Sequence, residues 1–248
     1  MVTATDRRLA RLAARLAGRL VLEVARTGKA AGRGIGRLRS LPADRGEGDL
    51  DLDASVDALV TSRAGGVAPG LDELRVRGWR RPDTAVCLVV DRSGSMGGER
   101  LAAAAVAAAA CALRAPREWA CLVFADRILA VSSLDRPRPA AAVVDDLLRL
   151  RGRGTTDLAG ALSAAADQLA RASARRRITV VLSDCRANAG VDPVPVARTL
   201  DELIVLAPAD DAVEAGEFAA ATGARLAALT GPTDVARALA VTLGGLRA

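Results

Sequence analysis

Apolar runs and Ala-rich stretches alternate along the chain from Thr84 onward. Thr84–Val90 (TAVCLVV) and Ile178–Leu182 (ITVVL) are continuous apolar runs, which are typical of strands buried on both faces of a parallel sheet. The other strands are predicted at Trp119–Phe124, Ile128–Ser132, Leu203–Leu206 and Arg225–Leu229. Helices are predicted between them at Glu99–Arg114, Ala140–Leu150, Asp157–Ser173, Val213–Ala221 and Asp234–Leu243. This alternation predicts an α/β fold, a doubly wound, mostly parallel Rossmann-like sheet with helices on both faces.

The first third of the chain follows a different pattern. Leu9, Leu12, Leu16, Leu20 and Val24 recur at helical spacing, which predicts a basic amphipathic helix over residues 6–26. The alternating acids of Asp49–Asp53 are interpreted as a solvated acidic linker, and a short helix is predicted at Ala54–Ser62. We therefore divide the chain into an N-terminal segment, residues 1–82, and an α/β domain, residues 83–248.

Composition excludes several functions. The 248-residue chain has no His, so a Ser-His-Asp hydrolase and a His-ligated zinc enzyme are excluded within this polypeptide. Neither a GxxxxGK[ST] phosphate loop nor a GxGxxG turn after the first strand occurs. The four Cys show no close pairing and have mostly apolar neighbours, which favours buried reduced thiols. No apolar stretch reaches membrane-spanning length, so we expect a cytoplasmic protein without a membrane span.

The positive charge is concentrated at the N-terminus. Residues 1–40 hold ten Lys or Arg against two acids, although the net charge of the whole chain is only +6. Such a helix is more often solvated or packed on a core than bound to nucleic acid, but a polyanion-binding role of residues 1–40 stays an alternative. Aromatic residues are only 2% of the chain, which argues against a stacking surface for single-stranded nucleic acid.

Polar residues follow the predicted buried strands. The first strand ends in Asp91, with Ser93 and Ser95 close behind, and ITVVL ends in Ser183 and Asp184. A Gly-rich turn brings Thr155, Thr156 and Asp157 to the start of a helix. Because ligands of such sheets bind at the carboxyl ends of the strands, two carboxylates and three hydroxyl groups are expected to meet there. Oxygen donors with few carboxylates suit Mg²⁺.

These residues resemble a known family. The run VVDRSGSM, from Val89 to Met96, is similar to the DxSxS metal-ion-dependent adhesion site of von Willebrand factor type A domains. The turn at Gly154–Leu158 resembles the loop that gives the family its metal-binding Thr, and Ser183-Asp184 resembles the segment that gives its second Asp. The resemblance implies one Mg²⁺ or Mn²⁺ ion, completed by an acidic residue of a partner protein and used for binding, not catalysis. The implied ligands are Asp91, Ser93, Ser95, Thr156 and Asp184.

The N-terminal region, with Asp49–Ala58 (DLDLDASVDA), is similar to the CoxE-like bacterial subgroup of these proteins. The resemblance implies that the partner is a MoxR-type AAA+ ATPase or its client, in the assembly or metal loading of another enzyme. Cys185 stands where the family commonly has Gly, and Thr155 directly precedes Thr156. Thr156 is preferred as the ligand because it directly precedes the Asp157-Leu158 pair.

The main alternative is an enzyme, a metal-dependent phosphatase or phosphotransferase of the haloacid-dehalogenase type. That fold also places an Asp after its first strand, with magnesium nearby. It needs a second Asp two positions on, where this chain has Ser93, and a Lys farther along. The only Lys of this chain is Lys29, upstream of the predicted sheet. We therefore expect a protein that is not an enzyme.

Overall fold

A computed structural model of the chain describes residues 8, 11–17, 37–43, 49–80, 84–96, 98–150 and 154–244. Contacts divide these residues into two units. The small unit lies within Gly28–Asp83. The large unit comprises the residues from Thr84 onward together with the described helical residues near the N-terminus.

The small unit is a three-stranded antiparallel sheet with one helix. Its elements are β1 Arg37–Pro42, β2 Asp49–Leu50, α1 Leu52–Gly65 and β3 Arg75–Arg80, and the strand order is β1-β3-β2. The helix predicted at Ala54–Ser62 is present and is longer at both ends. The sequence did not predict the sheet. Trp79, one of the two Trp residues of the chain, lies in β3.

The segment predicted as a solvated acidic linker is folded at its centre, so that prediction is wrong for Asp51. Asp49 and Asp53 are exposed, but Asp51 is only 4% exposed. Its carboxylate accepts a hydrogen bond from the Ala54 N–H at 3.3 Å and forms an ion pair with the Arg77 guanidinium at 2.9 Å. Asp51 is therefore the N-cap of α1 and also holds the helix against β3.

The large unit contains the predicted alternation of strands and helices. Its elements are β4 Thr84–Asp91, a 3₁₀ turn Gly94–Met96, α2 Glu99–Arg114, β5 Trp119–Phe124, β6 Ile128–Ser132, α3 Ala140–Arg149, α4 Leu158–Ala170, β7 Arg176–Leu182, α5 Pro193–Ala197, β8 Glu202–Pro208, α6 Val213–Thr222, β9 Arg225–Leu229 and α7 Val235–Gly244. The sheet has the order β6-β5-β4-β7-β8-β9. Neighbouring strands are parallel except for β5 and β6. The predicted fold class is thus confirmed.

Strand β4 is buried on both faces, as its continuous apolar run predicts. Leu88 and Val90 belong to one hydrophobic cluster, which includes the Ala residues of α2. Cys87 and Val89 belong to the cluster on the other face, which includes Leu162 of α4. Side chains of a strand alternate between its faces, so both faces of this sheet need helices to cover them.

The two clusters are built mainly from Ala, Leu and Val. The seven consecutive residues 102–108 of α2 are each at most 4% exposed. Small side chains allow a helix to approach its neighbours closely. Aromatic side chains are few in these clusters, and Trp119 of β5, 5% exposed, is one of them.

The described part of the N-terminal helix packs on the first cluster. Ala13 is 0% exposed and Ala17 is 5% exposed, whereas Leu12 is 37% exposed. The buried side of the helix therefore carries Ala. Among the described residues of the predicted Leu stripe, only Leu16 packs against this cluster. Leu9, Leu20 and Val24 of that stripe lie outside the described residues. Arg11 and Arg15 are exposed, and the polyanion-binding alternative stays a prediction.

Among the residues that the structure describes, none of the helices combines the length and the apolar character that crossing a bilayer requires.

Candidate functional site

The predicted site residues lie at the carboxyl edge of the parallel strands. Asp91 is the last residue of β4 and is opposite Phe124, the last residue of β5. Ser183 and Asp184 directly follow β7, which pairs with β4 on the other side. The chain leaves β4 and β7 toward opposite edges of the sheet, and such a reversal opens the crevice in which ligands of this fold class bind.

Asp91 is fully buried and is held by hydrogen bonds to both carboxylate oxygens. The Ser93 N–H donates to Oδ1 at 2.7 Å, and the Ser183 hydroxyl donates to Oδ2 at 2.6 Å. The Ser183 oxygen in turn accepts the Cys185 N–H at 2.9 Å, which fixes the direction of the hydroxyl proton. Each carboxylate oxygen keeps lone-pair capacity for a further partner.

Burial makes the charged form of Asp91 unfavourable. Removal from water is the main cause that raises the pKa of Asp91, and the nearby Asp184 carboxylate raises it further, while hydrogen bonds from Ser183 and Ser93 oppose the change. Within the described ranges, no Arg side chain forms an ion pair with Asp91. A buried carboxylate in this position is neutralised either by taking up a proton or by a bound cation.

Asp184 is 1% exposed, and its Oδ1 accepts the Arg186 N–H at 3.1 Å. The Arg186 side chain extends away and pairs with Asp211 at 2.5 Å and with Glu214 at 3.1 Å. These ion pairs connect the loop that carries Asp184 to the segment after β8. Nothing in the local sequence indicates this connection, because 25 residues separate Arg186 from Asp211.

The structure distinguishes Thr156 from Thr155. Thr156 is 2% exposed, whereas Thr155 is exposed. The N–H of Thr156 donates to Asn188 Oδ1 at 2.7 Å, in the loop after β7, and the next N–H donates to Ala125 O at 3.2 Å, directly after β5. Since β4 lies between β5 and β7, these bonds hold Thr156 across the end of β4.

Glycine permits the close approach of the two loops behind Thr156. Gly190 has a φ of +80°, and a Cβ at this position would clash with the Asp157 carboxylate. Asp157 in turn caps α4 by accepting the Gly160 N–H at 3.0 Å. A larger residue at position 190 would therefore displace the Asp157 carboxylate and would adopt a backbone conformation that is unfavourable for L-residues.

The two Ser residues of the DxSxS run differ in what the structure describes. Ser93 is 5% exposed and hydrogen-bonded to Asp91. Ser95 lies in the 3₁₀ turn, but its side chain is outside the described residues. Of the five predicted ligands, Asp91, Ser93, Thr156 and Asp184 are therefore buried together at this edge.

Cys185 is the one described residue other than Gly with a left-handed backbone, with a φ of 61°. This conformation costs an L-residue about 1–2 kcal/mol. Burial raises the pKa of the Cys185 thiol to about 12, and the Asp184 and Asp91 carboxylates contribute. The thiol is therefore protonated at pH 7 in the metal-free protein.

A comparison of Cys185→Gly with Cys185→Ala tests this strain. Both changes remove the thiol, but only Gly relieves the left-handed conformation. We expect the Gly variant to have a free energy of unfolding about 1 kcal/mol higher than the Ala variant, measured by urea denaturation. Equal stability of the two variants would show that the loop carries no such strain.

The donor set suits a small, hard cation. Two carboxylates and hydroxyl oxygens match the preference of Mg²⁺ for oxygen ligands with one or two carboxylates. No group of three or more His, Cys, Asp or Glu side chains suited to a metal occurs in the described part of the chain. Asp91, Ser93, Thr156 and Asp184 are the described residues that could hold the ion.

The fold and this edge define a class of protein, the open α/β domains with an oxygen-rich crevice at a strand reversal. Residues 86–187 match the family model of the von Willebrand factor type A domain, a range that contains all five predicted ligands. This part of the chain is therefore similar to von Willebrand factor type A domains, and domains of that family are in general interaction modules rather than enzymes.

Solved structures agree on the fold. The chain is similar to an aerotolerance-related membrane protein of Bacteroides fragilis, with 16% identity, a TM-score of 0.53 and coverage of 66% of this chain and 100% of that chain. It is similar to the conserved hypothetical protein BatB of Bacteroides thetaiotaomicron, with 14% identity, a TM-score of 0.52 and coverage of 65% and 98%. A von Willebrand factor type A protein of Catenulispora acidiphila gives 16% identity, a TM-score of 0.52 and coverage of 66% of this chain but only 42% of that chain. No curated protein sequence matches significantly.

Proposed function

We propose that the chain binds one Mg²⁺ or Mn²⁺ ion at Asp91, Ser93, Ser95, Thr156 and Asp184 and uses it to bind a partner protein. The observation that carries this proposal is the pair of buried carboxylates, Asp91 and Asp184, without a cationic partner for Asp91 among the described side chains. The family match supports an interaction role. Metal binding rests on the chemistry of the donor set.

Each residue has a distinct part in the proposal. Ser183 orients the Asp91 carboxylate by its hydrogen bond at 2.6 Å, and the Arg186 N–H orients Asp184 at 3.1 Å. Asn188 holds the backbone of Thr156 at 2.7 Å, so its side chain is presented from a fixed loop. When bound, the ion supplies a Lewis-acid position for a carboxylate of the partner. The protein residues position the ion and exclude water from its inner side.

We propose no catalytic role for the site. A phosphatase of the haloacid-dehalogenase type needs an Asp where Ser93 stands, and Ser93 is hydrogen-bonded to Asp91 and 5% exposed. The chain has no His, and its single Lys precedes the sheet in sequence. The second Asp that such a phosphatase uses is therefore missing from its expected position in the described site.

We further propose that the partner is a MoxR-type AAA+ ATPase or its client, in the cytoplasm. This part rests on the resemblance of the N-terminal region to the CoxE-like subgroup. The test is co-purification with the candidate ATPase in MgCl₂ or in EDTA. The ATPase is expected to co-purify only in Mg²⁺ and only with the intact site. Equal recovery of the ATPase in EDTA would show that the interaction does not depend on the metal.

The adjacent Thr residues give a matched test of the metal site. Thr156→Ala removes a buried hydroxyl at the strand edge, whereas Thr155→Ala removes an exposed one. We expect calorimetric titration with MgCl₂ to show about tenfold weaker binding for Thr156→Ala and unchanged binding for Thr155→Ala. The reverse ranking would show that Thr155 is the ligand. No binding by the wild type would reject the site as a whole.

A further inference from the structure

A second concave site lies on the same edge of the large unit, outside the residues of the proposed metal site. It is a crevice of about 420 Å³ between the ends of β7, β8 and β9 and the first turn of α2. We call it the strand-end crevice. Its floor is formed by Leu182, Leu206 and Leu229, which are 2%, 0% and 7% exposed. The floor is thus apolar and belongs to the hydrophobic core.

The rim of the strand-end crevice is polar and charged. Glu99, Asp210 and Thr230 are exposed there, and the Asp210 side chain is 80% exposed. The Arg100 side chain forms one wall and is held between Asp210 and Asp211, at 3.4 Å from each. No cation pairs with Glu99 among the residues that the structure describes.

The charge around the crevice is negative overall. Asp211 also binds Arg186, which binds Glu214 as well, so the rim belongs to a connected set of charges. That set has three carboxylates and two guanidinium groups, Asp210, Asp211 and Glu214 against Arg100 and Arg186, and Glu99 adds a further carboxylate at the rim. An apolar floor under a rim with surplus negative charge is complementary to a ligand with an aliphatic stem and a cationic end.

We propose that the strand-end crevice binds a Lys or Arg side chain of the partner protein. The aliphatic stem would lie on Leu182, Leu206 and Leu229, and the cationic head would lie at Glu99 and Asp210. The position favours a partner side chain because Leu182 is two residues before Asp184, on the same sheet edge. This inference rests on the proposed function, which supplies the partner protein. The partner would then present a basic residue next to the acidic residue that binds the metal ion.

The test uses blocked amino acids as probes. Nα-acetyl-lysine amide is titrated into the ¹⁵N-labelled full chain, with Nα-acetyl-norleucine amide, which has the same stem without the charge, as the matched ligand. The lysine probe is expected to shift the amide signals of Arg100, Thr230 and Gly231 at millimolar concentration, and the norleucine probe to bind at least about fivefold more weakly. Added salt is expected to weaken the binding of the lysine probe but not that of the norleucine probe.

The matched variants are Glu99→Gln at the rim and Glu217→Gln, an exposed residue of α6. We expect about fivefold weaker binding of the lysine probe to the first variant and unchanged binding to the second. Equal binding of the norleucine probe, or no effect of Glu99→Gln, would overturn the proposal. Free lysine binding more tightly than the blocked probe would also overturn it, because the occupant would then be a free amino acid.

The titration is carried out in EDTA and repeated with MgCl₂. Because none of the crevice residues is a proposed metal ligand, the lysine probe is expected to bind in both. Binding in EDTA by a chain that takes up no Mg²⁺ would reject only the proposed metal-dependent function. Mg²⁺ binding without any response to the lysine probe would reject only the crevice proposal.

Discussion

Asp91→Asn is expected to abolish the stabilisation of the large unit by Mg²⁺ while leaving the metal-free protein folded. The amide keeps the shape of the side chain, and its oxygen still accepts the Ser93 N–H, so the free energy of unfolding in EDTA should stay within about 1 kcal/mol of wild type. Wild type should gain about 2.7 kcal/mol at a Mg²⁺ concentration of one hundred times Kd. This gain corresponds to about 5–10 °C in Tm.

The measurement is thermal unfolding with MgCl₂ and with EDTA, followed by circular dichroism. Asp167→Asn is the matched control, because it makes the same chemical change at an exposed position of α4. We expect the control to respond to Mg²⁺ like wild type. If Mg²⁺ raises the Tm of Asp91→Asn as much as that of the control, Asp91 is not a ligand.

Leu88→Ala is expected to lower the free energy of unfolding of the large unit by about 2–5 kcal/mol. Leu88 is fully buried in the central strand β4, in the cluster shared with the closely packed α2. A packed Ala-rich helix has little freedom to move into the space left by the lost methyl groups, so the cost should be toward the upper end of that range.

Urea denaturation measures this cost, with Leu129→Ala in β6 as the control. Leu129 is 51% exposed, so its truncation should cost less than about 1 kcal/mol. Similar costs at the two positions would mean that the sheet tolerates a cavity at its centre, contrary to the close packing described above.

The sequence predicted the large unit well because its central strands are buried on both faces. A continuous run such as Thr84–Val90 has few structural interpretations, and the Ala-rich segments between such runs had to cover the sheet. The small unit was missed because its strands are short and rich in Arg: β1 reads RLRSLP, β3 reads RVRGWR, and β2 has only two residues. Their alternation is too brief to distinguish a strand from a basic loop.

In the candidate site too, features set by the local sequence could be predicted, whereas contacts between loops distant in sequence could not. Asp91 and Asp184 could be placed because each directly follows a strong strand. The choice of Thr156 over Thr155 rested on position alone, and burial now supports it. The hydrogen bond from Asn188 and the ion pair between Arg186 and Asp211 could not be predicted, since they depend on how loops distant in sequence meet.

The distribution of tryptophan gives each unit its own optical reporter. The chain has no Tyr, and its two Trp residues are Trp79 in the small unit and Trp119 in the large one. The emission of a Trp79→Phe protein therefore arises from the large unit alone, and that of a Trp119→Phe protein from the small unit alone. Fluorescence can thus show whether the two units unfold in one transition or in two, without any attached dye.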